Sequence, residues 1–388
     1  MDISTLKEIV TGSVALRSRV ELRPAGGDSD KVFPPTYAGG VYATETRRID
    51  GEAVDCVLLD SVQSQANRFE SALQDALDRQ LIAIPCIRVS FPAQLAREFG
   101  PVTSLTVPHR CYDAILRDSM DAGIPFPKTA VGSALIDARA ADATALYCHC
   151  PTVLVFGGWD SAGVRGGMGA KFTRAVSSEI VGIGAVAGVR TSSRLDPLGI
   201  RREVGVVIQD HDLTHWRVAS AGDKGAKKPS EIVHGNIAPT ITEGAGGVTV
   251  DRIEQAWVLS LPALRRYRFP LDGVYEEERD KAGRQVLVAL ALAARALARD
   301  DGLFLRSRCQ LAPVLGAGSP LEMIAPDGSI RELDDPSTEQ ALGLLAEAVD
   351  AAVACGLEWV TRPVELEPEE RLVELVSRSL ELTASNGG

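Results

Sequence analysis

Aromatic side chains make up only 5% of this 388-residue sequence, too few for a β-sandwich packed on large rings. Long apolar runs are missing as well. The longest, VLVALALAA at Val286–Ala294, falls short of the roughly 20 residues that span a bilayer, so no membrane span is expected and the run reads as a buried core helix. The first residues lack a charged start followed by an apolar stretch, and no signal peptide is expected. The seven cysteines are odd in number and scattered, which fits a reduced, cytoplasmic protein better than a disulfide framework. No internal repeat or low-complexity tract stands out. The length allows two or three domains, or one domain with large insertions.

An excess of positive charge is also lacking: the formal net charge is −11. Taken alone this argues against a polyanionic partner, but its distribution reverses the inference. Residues 318–388 carry 15 Asp/Glu and 4 Arg, and so hold the whole excess. The other 317 residues are neutral, and within them Gly157–Arg202 carries seven Lys/Arg against three Asp/Glu. Local fields govern binding more than the total does. A basic strip therefore sits in a neutral body with an acidic end, which is either a solvated helical face or an interaction surface.

Several elements are legible from periodicity. LLDSVQSQANRFESALQDALDRQ, Leu58–Gln80, reads as a helix capped by Asp60 or Ser61. Its core face is Val62, Ala66, Phe69, Leu73, Ala76 and Leu77. Gln63, Ser64, Asn67 and Arg68 form an amide-rich face roughly opposite. A further helix is expected around Tyr112–Asp121. PTVLVF at Pro151–Phe156 reads as a buried strand, and Ala170–Val181 as a helix or an extended arm. REVGVVI and GGVTVDRIEQAWVLSL read as strands, Ala221–Thr242 as a polar loop or hairpin tip, and Gly283–Ala298 as the core helix. LFLRSRCQL reads as a strand with Arg306 and Arg308 on one face. This order has no regular βαβ repeat, and the fold class it predicts is α+β.

The familiar catalytic signatures fail on spacing. Lys171 in the glycine-dense stretch GGWDSAGVRGGMGAKFTR, Gly157–Arg174, is followed by Phe172, so no hydroxyl is placed for magnesium as in a P-loop. Gly182-x-Gly184-x-x-Ala187 matches a dinucleotide fingerprint formally, but Gly188 and Pro197 interrupt the helix it should open. His211 and His215 share a face only if helical, lack a third ligand, and follow a strand-like run, so a surface loop without metal is expected. Cys148-His149-Cys150 has no spaced partner pair. No cofactor is expected.

What remains is a series of glycine-, hydroxyl-, amide- and base-rich segments: Gln63/Asn67/Arg68, Arg165/Lys171/Arg174, Arg190–Arg194, Lys227/Lys228 and Arg265/Arg266/Arg268. Such groups bind phosphates. One loop suffices for a compact phosphate, whereas several suggest a polymer.

LLDSVQSQANRFE, FGGWDSAGVRGGMGAKFTRAVSSEIVGIGA, GVRTSSRLDPLGI, KKPSEIVHGNIAPTIT, GGVTVDRIEQAWVLSLPALRRYRFP and LFLRSRCQL, taken in order, resemble the crRNA-binding backbone subunit of type I-U (I-G) CRISPR interference complexes, a member of the RAMP superfamily. The similarity runs from about residue 50 to 315. It implies a modified RRM-like (ferredoxin-like) palm over residues 1–317 with finger- and thumb-like insertions, and an acidic, helix-rich segment over 318–388 packed on the same domain. It also implies copies stacked head to tail along the crRNA within a Cascade-like complex, with other subunits, gripping the guide backbone while its bases pair with target DNA. The expected RNA-binding residues are Gln63, Asn67, Arg68, Trp159, Arg165, Lys171, Arg174, Arg190, Ser192, Ser193, Arg194, Lys227, Lys228, His234 and Asn236. The aromatic stacking motif of an RRM is not visible; Trp159 and Phe172 are the candidates for stacking. No catalysis is expected. Two alternatives stand beside this reading: an endoribonuclease of the RAMP type using a loop aspartate (Asp160, Asp196 or Asp223), and an NAD(P)-binding oxidoreductase resting on Gly182–Ala187.

Overall fold

Buried and exposed residues alternate along the strands, while one helix is buried almost all round, and these two patterns build the body. The computed structural model describes residues 1–100, 102–160, 169, 171–209, 212–315 and 320–386. Helix α1 (Ile3–Gly12) is capped by the Asp2 carboxylate. Strand β1 (Ala15–Pro24) follows, then a hairpin of β2 (Thr44–Ile49) and β3 (Glu52–Asp60), helix α2 (Val62–Asp78), β4 (Val176–Ile183), β5 (Arg252–Ser260), helix α3 (Glu277–Asp300) and the hairpin β6 (Leu303–Arg306) and β7 (Cys309–Pro313). The C-terminal part adds β8 (Leu321–Ile324), β9 (Ile330–Leu333), α4 (Thr338–Ala354) and α5 (Glu370–Asn386).

The strands form a nine-stranded sheet in the order β6-β7-β1-β5-β4-β3-β2, with β8 pairing to β1 and β9 to β8. Neighbours are antiparallel throughout. Stripped of insertions, the chain order β1-α2-β4-β5-α3-β7 and the spatial order β7-β1-β5-β4 are those of the ferredoxin-like βαββαβ unit. The fold is α+β with an RRM-like palm. Register places Leu16, Ser18 and Leu22 of β1 opposite Leu259, Trp257 and Ile253 of β5, all turned to the helices. Helix α3 packs against α1, α2 and α4 and carries Val286–Ala294, the longest apolar run, through the centre of the core. Its first turn holds Glu277, Glu278 and Asp280, which suit a helix N-terminus.

Three insertions decorate this unit, the first being residues 25–60, which carry the β2–β3 hairpin. Residues 79–175 supply short helices and part of a second sheet, in which Ile87–Val89 pairs with Val364–Pro368 of the acidic end. That end is also tied down by Trp359, whose Nε1 donates to the Ala83 carbonyl at 2.9 Å. Residues 184–251, between β4 and β5, form a largely exposed insertion built on three strand pairs, Val186–Ala187 with Val248–Thr249 at its base, Arg190–Arg194 with Ile237–Thr242, and Val206–Gln209 with Asp212–Val218.

Several expectations need correction. The chain at Leu58–Asp60 belongs to β3, and the helix starts only after Ser61, whose hydroxyl accepts from the Ser64 N–H. Thr152–Phe156 is a short buried helix, not a strand. LFLRSRCQL is a hairpin, turned at Ser307–Arg308 with Arg308 at φ 58°, not one strand. The helix expected around Tyr112–Asp121 shrinks to Ala114–Arg117 and is followed by strand Ser119–Asp121. The arm from Lys171 is extended rather than helical. Strand Ile237–Thr242 occupies the end of the expected polar loop. Among the described residues, no helix is long and apolar enough to cross a membrane.

Candidate nucleic-acid interface

The glycine-dense stretch is rooted on a buried ion pair. Glu70, from α2, meets Arg110 in a two-pronged contact at 2.6 and 2.5 Å, both side chains being buried. The remaining prong of Arg110 donates to the Gly157 carbonyl at 2.9 Å. Arg174, half-buried, donates from Nε to the Phe156 carbonyl at 3.1 Å. Both guanidinium groups therefore hold the backbone where the stretch leaves its helix. Gly157 sits at φ 86°, and a Cβ there would lie 3.1 Å from the Arg174 nitrogen, so only glycine fits. Burial pushes the Glu70 carboxyl up to about 7, against the pull of Arg110. Burial also lowers the Arg174 guanidinium.

Beyond this root the chain forms the cross-strand pair Trp159 and Lys171. Trp159 is 47% exposed, and the Lys171 ammonium lies 4.4 Å from its ring centroid. A cation on an exposed ring is the combination that grips a nucleotide, base by stacking and phosphate by charge. Phe172 is buried between Tyr112 and Tyr267 and is no stacking platform. Arg165 lies outside the described residues.

On the 184–251 insertion, Arg190, Ser192, Ser193, Lys227, Lys228 and Asn236 are exposed. Ser192 exchanges a hydrogen bond with Thr240 at 2.7 Å. Arg194 is used internally, donating to the carbonyls of Gly235 at 2.9 Å and His234 at 2.7 Å. Asn236 accepts from the Asp196 N–H at 2.6 Å, and His234 lies edge-on to Trp216. Arg201 and Arg202 are exposed beside them and belong to the basic strip, although no motif singled them out.

On α2, Gln63 and Asn67 are exposed, but Arg68 is not available in the same way. Its guanidinium donates to the Asp60 carboxylate at 2.8 Å and the Leu305 carbonyl at 2.9 Å. Asp60 is fully buried and also accepts from Ser64 and Gln65, at 2.7 and 2.6 Å. Gln65 in turn accepts from Ser178 and Gln255. Sequence reasoning took Asp60 for a cap and missed this hub; the dense run of amides and hydroxyls from Ser61 to Asn67 was its signal. Of the Arg265/Arg266/Arg268 cluster, Arg265 donates to the carbonyls of Val10 and Ser13, Arg268 pairs with Asp280, and only Arg266 is exposed.

The sheet face turned away from the helices carries no ring on its two central strands. Arg17, Arg19, Glu21 and Arg23 of β1 stand there beside Arg252, Glu254, Ala256 and Val258 of β5. Arg17 pairs with Glu322 at 2.6 Å and Arg19 with Glu254 at 2.7 Å. An RRM stacks bases on aromatics at such positions; here the face is a lattice of ion pairs.

The aspartates considered for cleavage are all engaged or covered. Asp160 is buried, Asp196 accepts from the N–H groups of Gly235 and Leu198, and Asp223 pairs with Arg217 at 2.7 Å. The Arg217 contact holds the Asp223 carboxyl down, at about 2. The dinucleotide fingerprint falls on the end of β4, and Gly184 at φ 70° leads into the strand Val186–Ala187 rather than a helix, so the loop geometry of a nucleotide fold is not formed. His215 lies in the strand Asp212–Val218, which removes the shared helical face, and His211 lies outside the described residues. Cys148 and His149 end a helix, Thr144–His149, just ahead of the short helix Thr152–Phe156.

Residues 16–187 match a family model described as CRISPR-associated protein GSU0053. The matched stretch runs from β1 through α2 and the glycine-dense stretch to the end of β4, less than half of the chain. It supports a CRISPR-associated protein with a role in CRISPR defence. No curated protein matches.

Proposed function

We propose that this chain is a guide-RNA-binding backbone subunit of a type I-U (I-G) CRISPR interference complex. Copies stack head to tail along the crRNA, hold its backbone, and leave its bases to pair with target DNA; the subunit performs no covalent chemistry of its own. One observation carries the reading. The side chains of Lys171, Arg190, Lys227 and Lys228 are exposed and make no ion pair or hydrogen bond with the described residues, on a chain whose palm arginines are mostly bound internally. Cations presented this way, beside exposed hydroxyls and the exposed ring of Trp159, suit a phosphate backbone. The CRISPR-associated family match over residues 16–187, the first part of the palm with its 79–175 insertion, supports a place in a CRISPR system. The engaged state of Asp160, Asp196 and Asp223 favours binding over cleavage.

Co-expression with a CRISPR array, followed by sequencing of the RNA that co-purifies, tests it. Guide-derived RNA is expected with the natural chain, and its loss with Lys171→Ala, Arg190→Ala, Lys227→Ala and Lys228→Ala combined. Retention of guide RNA by the fourfold variant, or cleavage of target RNA by the purified protein, overturns it.

A further inference from the structure

Between α2, α3 and the helix-covered face of β1 and β5 lies a cavity of about 650 Å³, bounded by the β6–β7 hairpin. Its volume is within the range of small-molecule sites. It exists because the residues lining it from the two helices include small ones, Ala72 and Ala298, and the β1 residue beneath is Ser18. A close-packed interior would place larger side chains there.

The chemistry of the lining is specific. Trp257 of β5 lines the cavity and is 2% exposed, yet its indole N–H has no hydrogen-bond partner among the described residues. Buried donors without acceptors are uncommon in folded proteins and cost stability, so this one calls for an acceptor. Three arginines line the space, and each is paired with a carboxylate: Arg68 with Asp60 at 2.8 Å, and Arg295 and Arg299 with the shared Asp335 at 2.5 and 2.8 Å. Asp75 and Asp301 line it as well. The cavity thus offers no excess positive charge to a phosphate. What it offers is flat: the rings of Phe69, Phe304 and Trp257, and guanidinium planes, one of them 5.4 Å from the Trp257 ring centroid. Rings and guanidinium groups stack on planar π systems.

We propose that this cavity is a binding site for an uncharged heteroaromatic molecule of nucleobase to nucleoside size, one of whose acceptor atoms takes the Trp257 indole proton. The site is separate from the exposed cations of the proposed RNA interface and does not depend on that reading.

The test uses the full-length protein with ¹⁵N-labelled tryptophan, the Trp257 indole signal being assigned through Trp257→Phe. Adenosine, guanosine, cytidine and quinoxaline are titrated, with adenosine monophosphate as the charged control. At least one neutral probe is expected to shift the Trp257 signal saturably. Trp257→Phe is expected to bind that probe about ten-fold more weakly, the loss of one hydrogen bond. Ala298→Phe, which fills the cavity from α3 at a partly buried position, is expected to abolish binding, and circular dichroism checks that it folds. No shift with any neutral probe overturns the proposal, as does binding that survives both variants. Tighter binding of adenosine monophosphate than of adenosine overturns the uncharged ligand class.

Discussion

The palm and the 184–251 insertion both contain many basic residues and use them in opposite ways. Arginines of the palm, and Arg110 of the 79–175 insertion packed on it, are internal fasteners: Arg110 on Glu70, Arg68 on Asp60, Arg295 on Asp335, Arg268 on Asp280. On the insertion, Arg190, Lys227 and Lys228 face solvent, and only some of its arginines, such as Arg194 and Arg217, are tied to neighbouring backbone or carboxylates. The difference teaches that a basic count along the chain does not locate a polyanion site. Side-chain type carries part of the distinction. Arginine's planar fork suits buried two-pronged contacts, whereas lysine's hydrated ammonium stays in solvent. The Lys227/Lys228 pair is therefore a better marker of a phosphate surface here than Arg265/Arg268.

The comparison breaks most visibly at Arg110. Arg110→Ala leaves the Glu70 carboxyl buried without its partner and removes the bond to Gly157. Breaking a buried pair this way costs about 3–5 kcal/mol. Denaturant unfolding is expected to show that loss, with guide binding falling as a consequence. A loss under about 1 kcal/mol would mean that the pair does not fasten the glycine-dense stretch.

The same pair has a pH signature. The Glu70 carboxyl lies at about 7 in the folded chain and at an ordinary value near 4.5 when unfolded. The folded state therefore holds the proton more tightly. The stability linked to this group is fully present below pH 4.5 and is lost as pH rises through 7, by roughly 3 kcal/mol. This slope is opposite to that of a carboxylate held down by a partner. Melting temperature followed from pH 5 to 8 is expected to fall less steeply in Glu70→Gln than in the natural chain. Parallel profiles would place the folded carboxyl back in its usual range.

Much of the palm was legible and particular pieces were not, for reasons visible in the residues. Helix α2 announces itself by apolar spacing, the core helix α3 by the length of its apolar run, and β5 by partial alternation. Thr152–Phe156 did not, because a five-residue apolar run buried on every side has no period to read. The β6–β7 turn was hidden because Arg308 adopts a left-handed conformation without glycine or asparagine to mark it. The candidate site was legible in its residue types but not in their engagement. Nothing in QANR distinguishes exposed Asn67 from Arg68, whose guanidinium is bound to Asp60 because β3 ends directly beneath α2. Trp159 and Lys171, twelve residues apart in a glycine-dense stretch, meet only because that stretch folds back as a strand pair.

That strand pair sharpens the comparison within the 79–175 insertion, since Lys171 there is exposed like the cations of the 184–251 insertion. Trp159→Ala is expected to weaken guide RNA binding by about 1–3 kcal/mol, the worth of stacking one base. Stability should stay within about 0.5 kcal/mol because the ring is exposed. Filter binding alongside a thermal melt reads both quantities. Weaker folding with unchanged RNA affinity would make the Trp159–Lys171 contact a fastener, like the palm arginines.

The smallest effect tests the insertion itself. Lys227 and Lys228 are exposed, their side chains have no hydrogen-bond or ion-pair partner among the described residues, and they adjoin the short turn Pro229–Ile232. If each contacts one RNA phosphate, replacing both with alanine lowers the dependence of log affinity on log salt by about 1.4, since each single-strand phosphate contributes roughly 0.7. The fall in affinity should then be largest at low salt and nearly vanish at high salt, because released counterions drive it. Binding isotherms of guide RNA at several potassium chloride concentrations separate this from a loss of shape. An unchanged salt slope with uniformly weaker binding means that the lysines act through the insertion's fold, through the neighbouring turn. An unchanged slope with unchanged affinity removes them from the interface and leaves Arg190, Arg201, Arg202 and Lys224 as the exposed cations of this insertion to test.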